Sequence, residues 1–193
     1  GRSAAMFEKG YGPAAVQRLT EASEADYLAN DILSERGLLL VGSAEQAAAF
    51  DADVVELGLC RIPLEQAFAR VPILNPDAVA HAALSPSARD LDTDRVLQNA
   101  ARRIRAAGGR IVTGAEVRAI RHDNAGWTVS AGEDVTARLL INAAGAWADH
   151  LAILAGVAPI GLQPKRRSMA RLPAPGGHDV TGWPMLMGVT EGW

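Results

Sequence analysis

The sequence predicts a mixed α/β fold in which helices alternate with short strands. Several segments carry apolar residues at helical spacing, and short aliphatic runs follow them. Between Val117 and Ala143, strand-like runs alternate with turn signals of hairpin size. The chain has 193 residues, of which 49% are hydrophobic and 21% charged, so it is long and apolar enough to bury a sizeable core.

The first helix is predicted from Pro13 to Arg36, with Gly37 as its end. Its buried face would hold Val16, Leu19, Ala22, Ala25, Leu28, Ile32 and Leu33. The all-aliphatic run from Leu38 to Val41 predicts a strand, and the segment from Ala44 to Leu57 predicts a second helix.

The middle of the chain predicts two further helices and one strand. A short helix from Pro63 to Ala69 begins with a proline, which costs little in a first turn. A strand is expected from Ala78 to Leu84. Asp92 or Thr93 can cap a helix that runs to about Ala107. The buried face of that helix would hold Val96, Leu97, Ala100, Ala101, Ile104 and Ala107.

The remainder of the chain is predicted to be richer in strands. A short β-run starts at Arg110 and ends at Thr113, and a three-stranded antiparallel meander follows from Val117 to Ala143. A short helix is expected from Gly145 to Gly156. Strands are expected from Leu162 to Leu172 and from Gly182 to Val189.

Charge and cysteine content exclude several classes of protein. The chain has 19 basic and 22 acidic residues, a net charge of −3, so no nucleic-acid partner is expected. Its apolar runs fall far short of the roughly 20 residues that cross a bilayer, so no transmembrane segment is expected. Cys60 is the only cysteine, which favours a reducing compartment and predicts a cytoplasmic protein. No metal site is expected, because no metal-ligand spacing connects His81, His122, His150 and His178.

The most informative stretch is an aliphatic strand that runs into small residues. The run from Leu139 to Ile141 leads into Ala143, Ala144 and Gly145, and a short helix follows. Small side chains at the end of a strand allow a ligand to approach the backbone closely. The same pattern also fits a buried strand that ends in an ordinary turn, so the segment alone leaves both interpretations open.

Four ordered segments of the chain resemble one family of flavoenzymes. They are residues 1–6, 92–97 followed by 106–111, 114–120 followed by 126–129, and 140–147. In order and spacing they resemble the FAD-dependent amine and amino-acid oxidoreductases of the D-amino acid oxidase superfamily. That group includes glycine oxidase, sarcosine oxidase and D-amino acid dehydrogenase. Each segment alone is a weak signal, whereas the ordered set is more specific.

This resemblance implies a fold, a cofactor and a reaction. The fold would be a partial FAD-binding Rossmann-like domain with an antiparallel meander, joined to part of a mixed-sheet substrate domain. The FAD-binding part would comprise residues 1–36 and 92–156, and the substrate part residues 37–91 and 157–193. The reaction would be hydride transfer to flavin N5 from the C–H beside the amine of a small amine or amino-acid substrate.

The resemblance also implies which residues contact the cofactor. The flavin-contacting loop would be formed by Arg2, Ser3, Ala4, Ala5 and Met6. The backbone of Val117 would pair with the adenine, Ala144 and Gly145 would form the turn beside the dinucleotide, and Trp147 would pack nearby. Each residue also has a purely structural interpretation: a chain terminus, a core strand residue, an ordinary turn or a core aromatic. No catalytic residue is assigned.

One departure from the family pattern is large. The family opens with a strand and a G-x-G-x-x-G turn that holds the FAD pyrophosphate, and neither this turn nor the family's C-terminal glycine-rich segment is present. The chain is therefore expected to be the central part of such an enzyme and inactive alone. Two alternatives remain open: a non-catalytic α/β interaction module or inactive truncated domain, and a flavoenzyme of the same architecture that oxidises a 2-hydroxy acid or a glycerol phosphate.

Overall fold

The computed structural model describes residues 5–166 and 168–189. The chain divides into two compact units. The first comprises the residues up to Arg102 together with those from Met169 onward, and the second runs from Arg103 to Ser168. The mixed α/β fold class is confirmed, whereas the assignment of residues 1–36 and 92–156 to a cofactor domain stays a prediction.

The helices and strands are short and follow each other closely. In chain order they are β1 (Met6–Phe7), α1 (Ala14–Ala29), β2 (Leu33–Glu35), β3 (Leu38–Gly42), α2 (Ala47–Glu56), β4 (Cys60–Arg61), α3 (Leu64–Arg70), β5 (His81–Ser85), β6 (Arg89–Leu91), α4 (Thr93–Ala106), β7 (Ala119–Asp123), β8 (Gly126–Ala131), β9 (Glu133–Ala137), α5 (Ala148–Leu154) and β10 (Met185–Gly188). Single 3₁₀ turns occur at Ala44–Gln46, Gly145–Trp147 and Pro175–Gly177. None of the described helices has the length and apolar composition needed to cross a bilayer.

The described residues of the first unit form two sheets. One has the strand order β10-β3-β5-β4, in which β10 runs parallel to β3 and the other pairs are antiparallel. The other is a small antiparallel sheet with the order β1-β6-β2. Strand β10 therefore joins a sheet whose other strands come from the N-terminal half of the chain.

The core of the first unit lies on both faces of strand β3. Leu38 and Leu40 pack in one cluster with Phe50 of α2, whereas Leu39 packs in a second cluster with Ala67 of α3. Since successive side chains of a strand point to opposite faces, a strand covered on both sides must be aliphatic at every position. This double burial explains the uninterrupted run that correctly predicted a strand here.

Polar contacts and close packing hold the segment after β1 against the four-stranded sheet. The buried carboxylate of Glu8 accepts a hydrogen bond from the Ser85 hydroxyl at 2.8 Å and another from the Gly10 amide at 3.3 Å. Gly10 lies so near α2 that a Cβ atom there would be 2.6 Å from the carbonyl oxygen of Leu57. The contacts of Glu8 and Gly10, which follow β1, consequently help to fix the position of this strand, together with its pairing with β6.

The second unit is built on the predicted meander. Strands β7, β8 and β9 pair antiparallel in that order, with Ile120 opposite Val129 and Val129 opposite Val135. Helix α5 contacts β7. The turn signals between Val117 and Ala143 therefore predicted the antiparallel strand order of this meander correctly.

The first helix is shorter and more exposed than predicted. It ends at Ala29, Asp31 adopts a left-handed φ of 51°, and Leu33 begins β2, which pairs with β6. No residue of α1 is buried, and 69% of Leu19 is exposed. The predicted buried face was thus wrong within α1, whereas Ile32, which follows the helix, is buried. The helix ends early because β2 pairs with β6, a strand far along the chain.

Two predicted strands are absent from the described residues, and a third is shorter than predicted. Residues 110–113 lie outside regular structure, β9 ends at Ala137 instead of Ala143, and no strand forms among the described residues from Leu162 to Leu172. Among the described residues, the sheet pairings include none of these unpaired segments. Helix α4, by contrast, begins as predicted, because the Asp92 carboxylate accepts the Arg95 amide at 2.9 Å.

Candidate functional site

The predicted flavin-contacting loop is described only at its end. Arg2, Ser3 and Ala4 lie outside the described residues. The carbonyl oxygen of Ala5 accepts the Leu91 amide at 3.0 Å. Met6 pairs with β6 and packs against the first core cluster, so this end of the segment is part of the first unit.

The other predicted residues lie in the second unit, and two of them share a cavity. Val117 and Trp147 line a space of about 480 Å³ together with Glu116, His150 and Leu151. Trp147 is 70% exposed. The interpretation of Trp147 as a core aromatic is therefore wrong, and its indole face is available for contact with a ligand.

Val117, which lines this cavity, has backbone atoms without a hydrogen-bond partner in the described part of the chain. It immediately precedes the meander, whose first backbone bond is the Arg118 amide to the Ser130 carbonyl oxygen at 2.8 Å. Within the described part of the chain, the N–H and C=O of Val117 have no hydrogen-bond partner. Val117 consequently offers one unpaired donor and one unpaired acceptor on its main chain, the two kinds of group that the edge of a planar heterocycle can bind.

The turn between Asn142 and Trp147 leads into the cavity wall. Gly145 has a left-handed φ of 56°, which explains why glycine occupies this position. A Cβ atom built on Gly145 would meet no other atom within 4 Å, so the space beside this backbone is open. Ala144 precedes it and accepts the Trp147 amide on its carbonyl oxygen at 3.1 Å. Neither Ala144 nor Gly145 belongs to the lining of the cavity around Trp147.

A second cavity lies on the apolar side of the same unit. It has a volume of about 320 Å³ and is bordered by Val117, Ile120, Trp127 and Asn142, among others. The aliphatic residues Leu140 and Ile141 therefore border an open space. This second space has almost no polar lining apart from Asn142.

Two side chains fix the turn and the helix that follows it. The Asn142 amide nitrogen donates to the Ala148 carbonyl oxygen at 2.8 Å, and its side-chain oxygen accepts the Ala144 amide at 3.2 Å. The Asp149 carboxylate accepts three consecutive backbone amides, at 3.0, 2.9 and 2.7 Å. These bonds hold the pKa of Asp149 below its ordinary value of 3.8, and the amide of Ile160 contributes most.

Three residues of the cavity lining were not predicted from sequence. They are Glu116, His150 and Leu151. In the predicted helix from Gly145 to Gly156, His150 and Leu151 follow Trp147 by three and four residues, a spacing that puts Trp147, His150 and Leu151 on one face. That spacing was visible in the sequence and could have identified this wall of the cavity.

Comparisons with known proteins agree with this architecture. Three solved structures have similar folds. L-proline dehydrogenase from P. horikoshii is 18% identical with a TM-score of 0.69, over 94% of this chain and 52% of that chain. Glycine oxidase from Geobacillus kaustophilus is 22% identical with a TM-score of 0.66, over 80% and 47%. L-alpha-glycerophosphate oxidase from Mycoplasma pneumoniae, in a dithionite-reduced structure with FAD bound, is 17% identical with a TM-score of 0.64, over 80% and 46%.

The chain spans about half the length of the solved structures that it matches. The family model described as DAO, FAD dependent oxidoreductase, matches residues 1–192. A match over nearly the whole chain is independent of the cavity geometry and agrees with the expectation from the sequence segments. The chain belongs to the FAD-dependent oxidoreductase family of the DAO type, whose cofactor is FAD.

Proposed function

We propose that this chain is part of an FAD-dependent oxidoreductase that oxidises amines or amino acids. The observation that carries the proposal is the cavity in the second unit, which is lined by the exposed Trp147 and by Val117, a residue whose backbone N–H and C=O are unpaired within the described part of the chain. Two of the similar structures are an L-proline dehydrogenase and a glycine oxidase, and this supports an amine or amino-acid substrate.

The residues around the cavity fit the adenosine half of FAD. An adenine ring needs an apolar surface for its face, together with a donor and an acceptor for its edge. The indole of Trp147 supplies the first, and the free N–H and C=O of Val117 supply the second. The open backbone at Gly145 allows close approach of the adjoining part of the dinucleotide.

When bound, FAD supplies the hydride acceptor, flavin N5, for the C–H beside the substrate amine. In this proposal, Val117, Ala144, Gly145 and Trp147 bind and orient the cofactor. The segment Arg2, Ser3, Ala4, Ala5 and Met6 contacts the flavin and excludes water from it. No described residue is assigned a catalytic proton transfer.

The reaction of the whole protein belongs to the proposal as well. Because the chain spans about half of its structural relatives, we expect residues 1–193 by themselves to be inactive. The single cysteine, Cys60, is exposed and supports a cytoplasmic location.

The glycerophosphate oxidase among the similar structures supports a second candidate, which is oxidation of a glycerol phosphate or a 2-hydroxy acid on the same scaffold.

The test uses the full-length protein encoded by the gene. Purified protein should show flavin absorption bands, and an amine or amino acid should bleach these bands under anaerobic conditions. A panel containing glycine, both enantiomers of proline, several D-amino acids, 2-hydroxy acids and glycerol phosphate separates the two candidates. Bleaching by the alcohols alone would favour the second candidate, whereas a colourless protein that ignores added FAD would favour a non-catalytic interaction module.

Two glycine variants test the assigned cofactor site. Gly145→Ala and Gly156→Ala both replace a glycine with positive φ that has no atom within 4 Å of the new Cβ. Both should therefore suffer similar backbone strain, of about 1 kcal/mol. Only Gly145→Ala should also weaken FAD binding. Equal FAD affinities in the two variants would remove Gly145 from the site.

A further inference from the structure

The cavity wall that carries Trp147 is not fixed by burial. No residue of the 3₁₀ turn Gly145–Trp147 or of α5 is buried. Apolar packing in a core normally sets where a helix lies. Because no residue of this wall is fully buried, polar contacts add to its packing against β7 in fixing its position.

One polar contact lies at the start of the wall. The side chain of Asn142 uses both ends, accepting from the Ala144 amide at 3.2 Å and donating to the Ala148 carbonyl oxygen at 2.8 Å. The Asn142 side chain thereby connects the turn to Ala148, the first residue of α5. Asn142 does not belong to the lining of the cavity around Trp147.

The second polar contact lies on the helix itself. Asp149, which stands between Trp147 and His150, accepts the amides of Ile160, Gly161 and Leu162. A carboxylate held by three backbone amides forms charge-assisted bonds, which are stronger than neutral ones. This contact ties the segment after α5 back to the start of the helix. Asp149 also stays outside the cavity lining.

We propose that Asn142 and Asp149 are positioning residues for the cofactor site, and this inference rests on the proposed function. They hold Trp147 and His150 at the cavity and do not contact FAD themselves. Residues that act in this way set affinity through preorganisation, since a displaced wall must be reordered when the cofactor binds. Loss of either contact should therefore weaken FAD binding without changing the chemistry of the bound cofactor.

The test measures FAD binding by flavin fluorescence quenching on the full-length apoprotein. Asn142→Asp removes the donor to the Ala148 carbonyl oxygen, and Asp149→Asn replaces one acceptor oxygen by an NH₂ group. Each should raise the Kd for FAD about tenfold, by analogy with the 10–100-fold effects of residues that support metal ligands. The matched control is Asp123→Asn, because Asp123 accepts the Ala125 amide at 2.8 Å in the β7–β8 hairpin, outside the cavity lining. Its Kd should stay within about twofold of the unsubstituted protein.

A further variant alters the contact between Asp149 and residues 160–162 on the side of the amide donors. Ile160→Pro removes one of the three amides that Asp149 accepts, at a position that is 82% exposed. It should raise the Kd for FAD in the same direction as Asp149→Asn. This variant keeps the inference testable if a substitution on α5 prevents folding.

The readouts distinguish positioning from general destabilisation. We expect the Kd for FAD to rise in the three variants by more than any fall in the Tm of the apoprotein explains, while kcat at saturating FAD remains close to that of the unsubstituted protein. Unchanged Kd values, or losses that follow the apoprotein Tm, would overturn the inference while leaving the proposed function intact. If the unsubstituted protein binds no FAD, the proposed function fails first and the inference fails with it.

Discussion

Replacement of Trp147 by alanine separates cofactor binding from folding. The side chain is 70% exposed, so its removal leaves no buried cavity and should change the free energy of unfolding by no more than about 0.5 kcal/mol. Stacking of one base on an aromatic side chain contributes about 1–3 kcal/mol, as alanine substitutions show. If the adenine of FAD packs on this indole, Trp147→Ala should raise the Kd for FAD about 5- to 150-fold.

The assay combines urea denaturation of the apoprotein with FAD titration. Trp183→Ala serves as the comparison, because Trp183 packs against the second core cluster of the other unit. That variant should lower stability while retaining FAD affinity in its folded fraction. An unchanged Kd in Trp147→Ala, or a loss of stability as large as that of Trp183→Ala, would refute the assignment of Trp147 to the cofactor site.

Three further predictions concern stability. Gly10→Ala places a Cβ atom 2.6 Å from a backbone oxygen of Leu57, so the free energy of unfolding should fall by about 1–3 kcal/mol in urea denaturation. The control is Gly182→Ala, whose Cβ atom would meet no atom within 4 Å and which should be neutral or slightly stabilising in the same assay. Phe50→Ala empties a fully buried position and should cost about 3–5 kcal/mol in the same measurement. The lowered pKa of Asp149 means that its contribution to stability is complete above its ordinary value of 3.8 and is lost as the pH falls through the lower folded value. An NMR titration should show the three bonded amides shifting together at acid pH, and Asp149→Asn should abolish that step; amide shifts that begin near pH 5 would contradict the assignment.

Elements with a strong local signal were predictable from the sequence. Strand β3 carries an unbroken aliphatic run, and Asp92 caps α4 through a contact only three residues away. Strand β6, by contrast, was not predicted, and β2 was assigned to a helix, because each depends on the other across more than 50 residues. Strands of two or three residues have little periodicity of their own, so distant partners decide whether they form.

The candidate site was predictable in part for the same reason. The small residues at Ala144 and Gly145 signalled a turn with an accessible backbone, and the structure provides one. The three hydrogen bonds from backbone amides to the Asp149 carboxylate were not predicted, because they depend on how residues 160–162 fold back after α5. Sequence patterns identify residue types suited to a site, whereas contacts between non-local segments decide how those residues are arranged.

The pairing of β10 with β3 constrains the order of events during synthesis. Met185 lies opposite Leu38, so this sheet is complete only after roughly 150 further residues have been translated, about 7–30 s later at ordinary elongation rates. The meander unit is continuous in the chain and is synthesised entirely within that interval. One edge of β3 therefore stays unpaired on the ribosome while the second unit is synthesised, a period in which the nascent chain would benefit from chaperone protection.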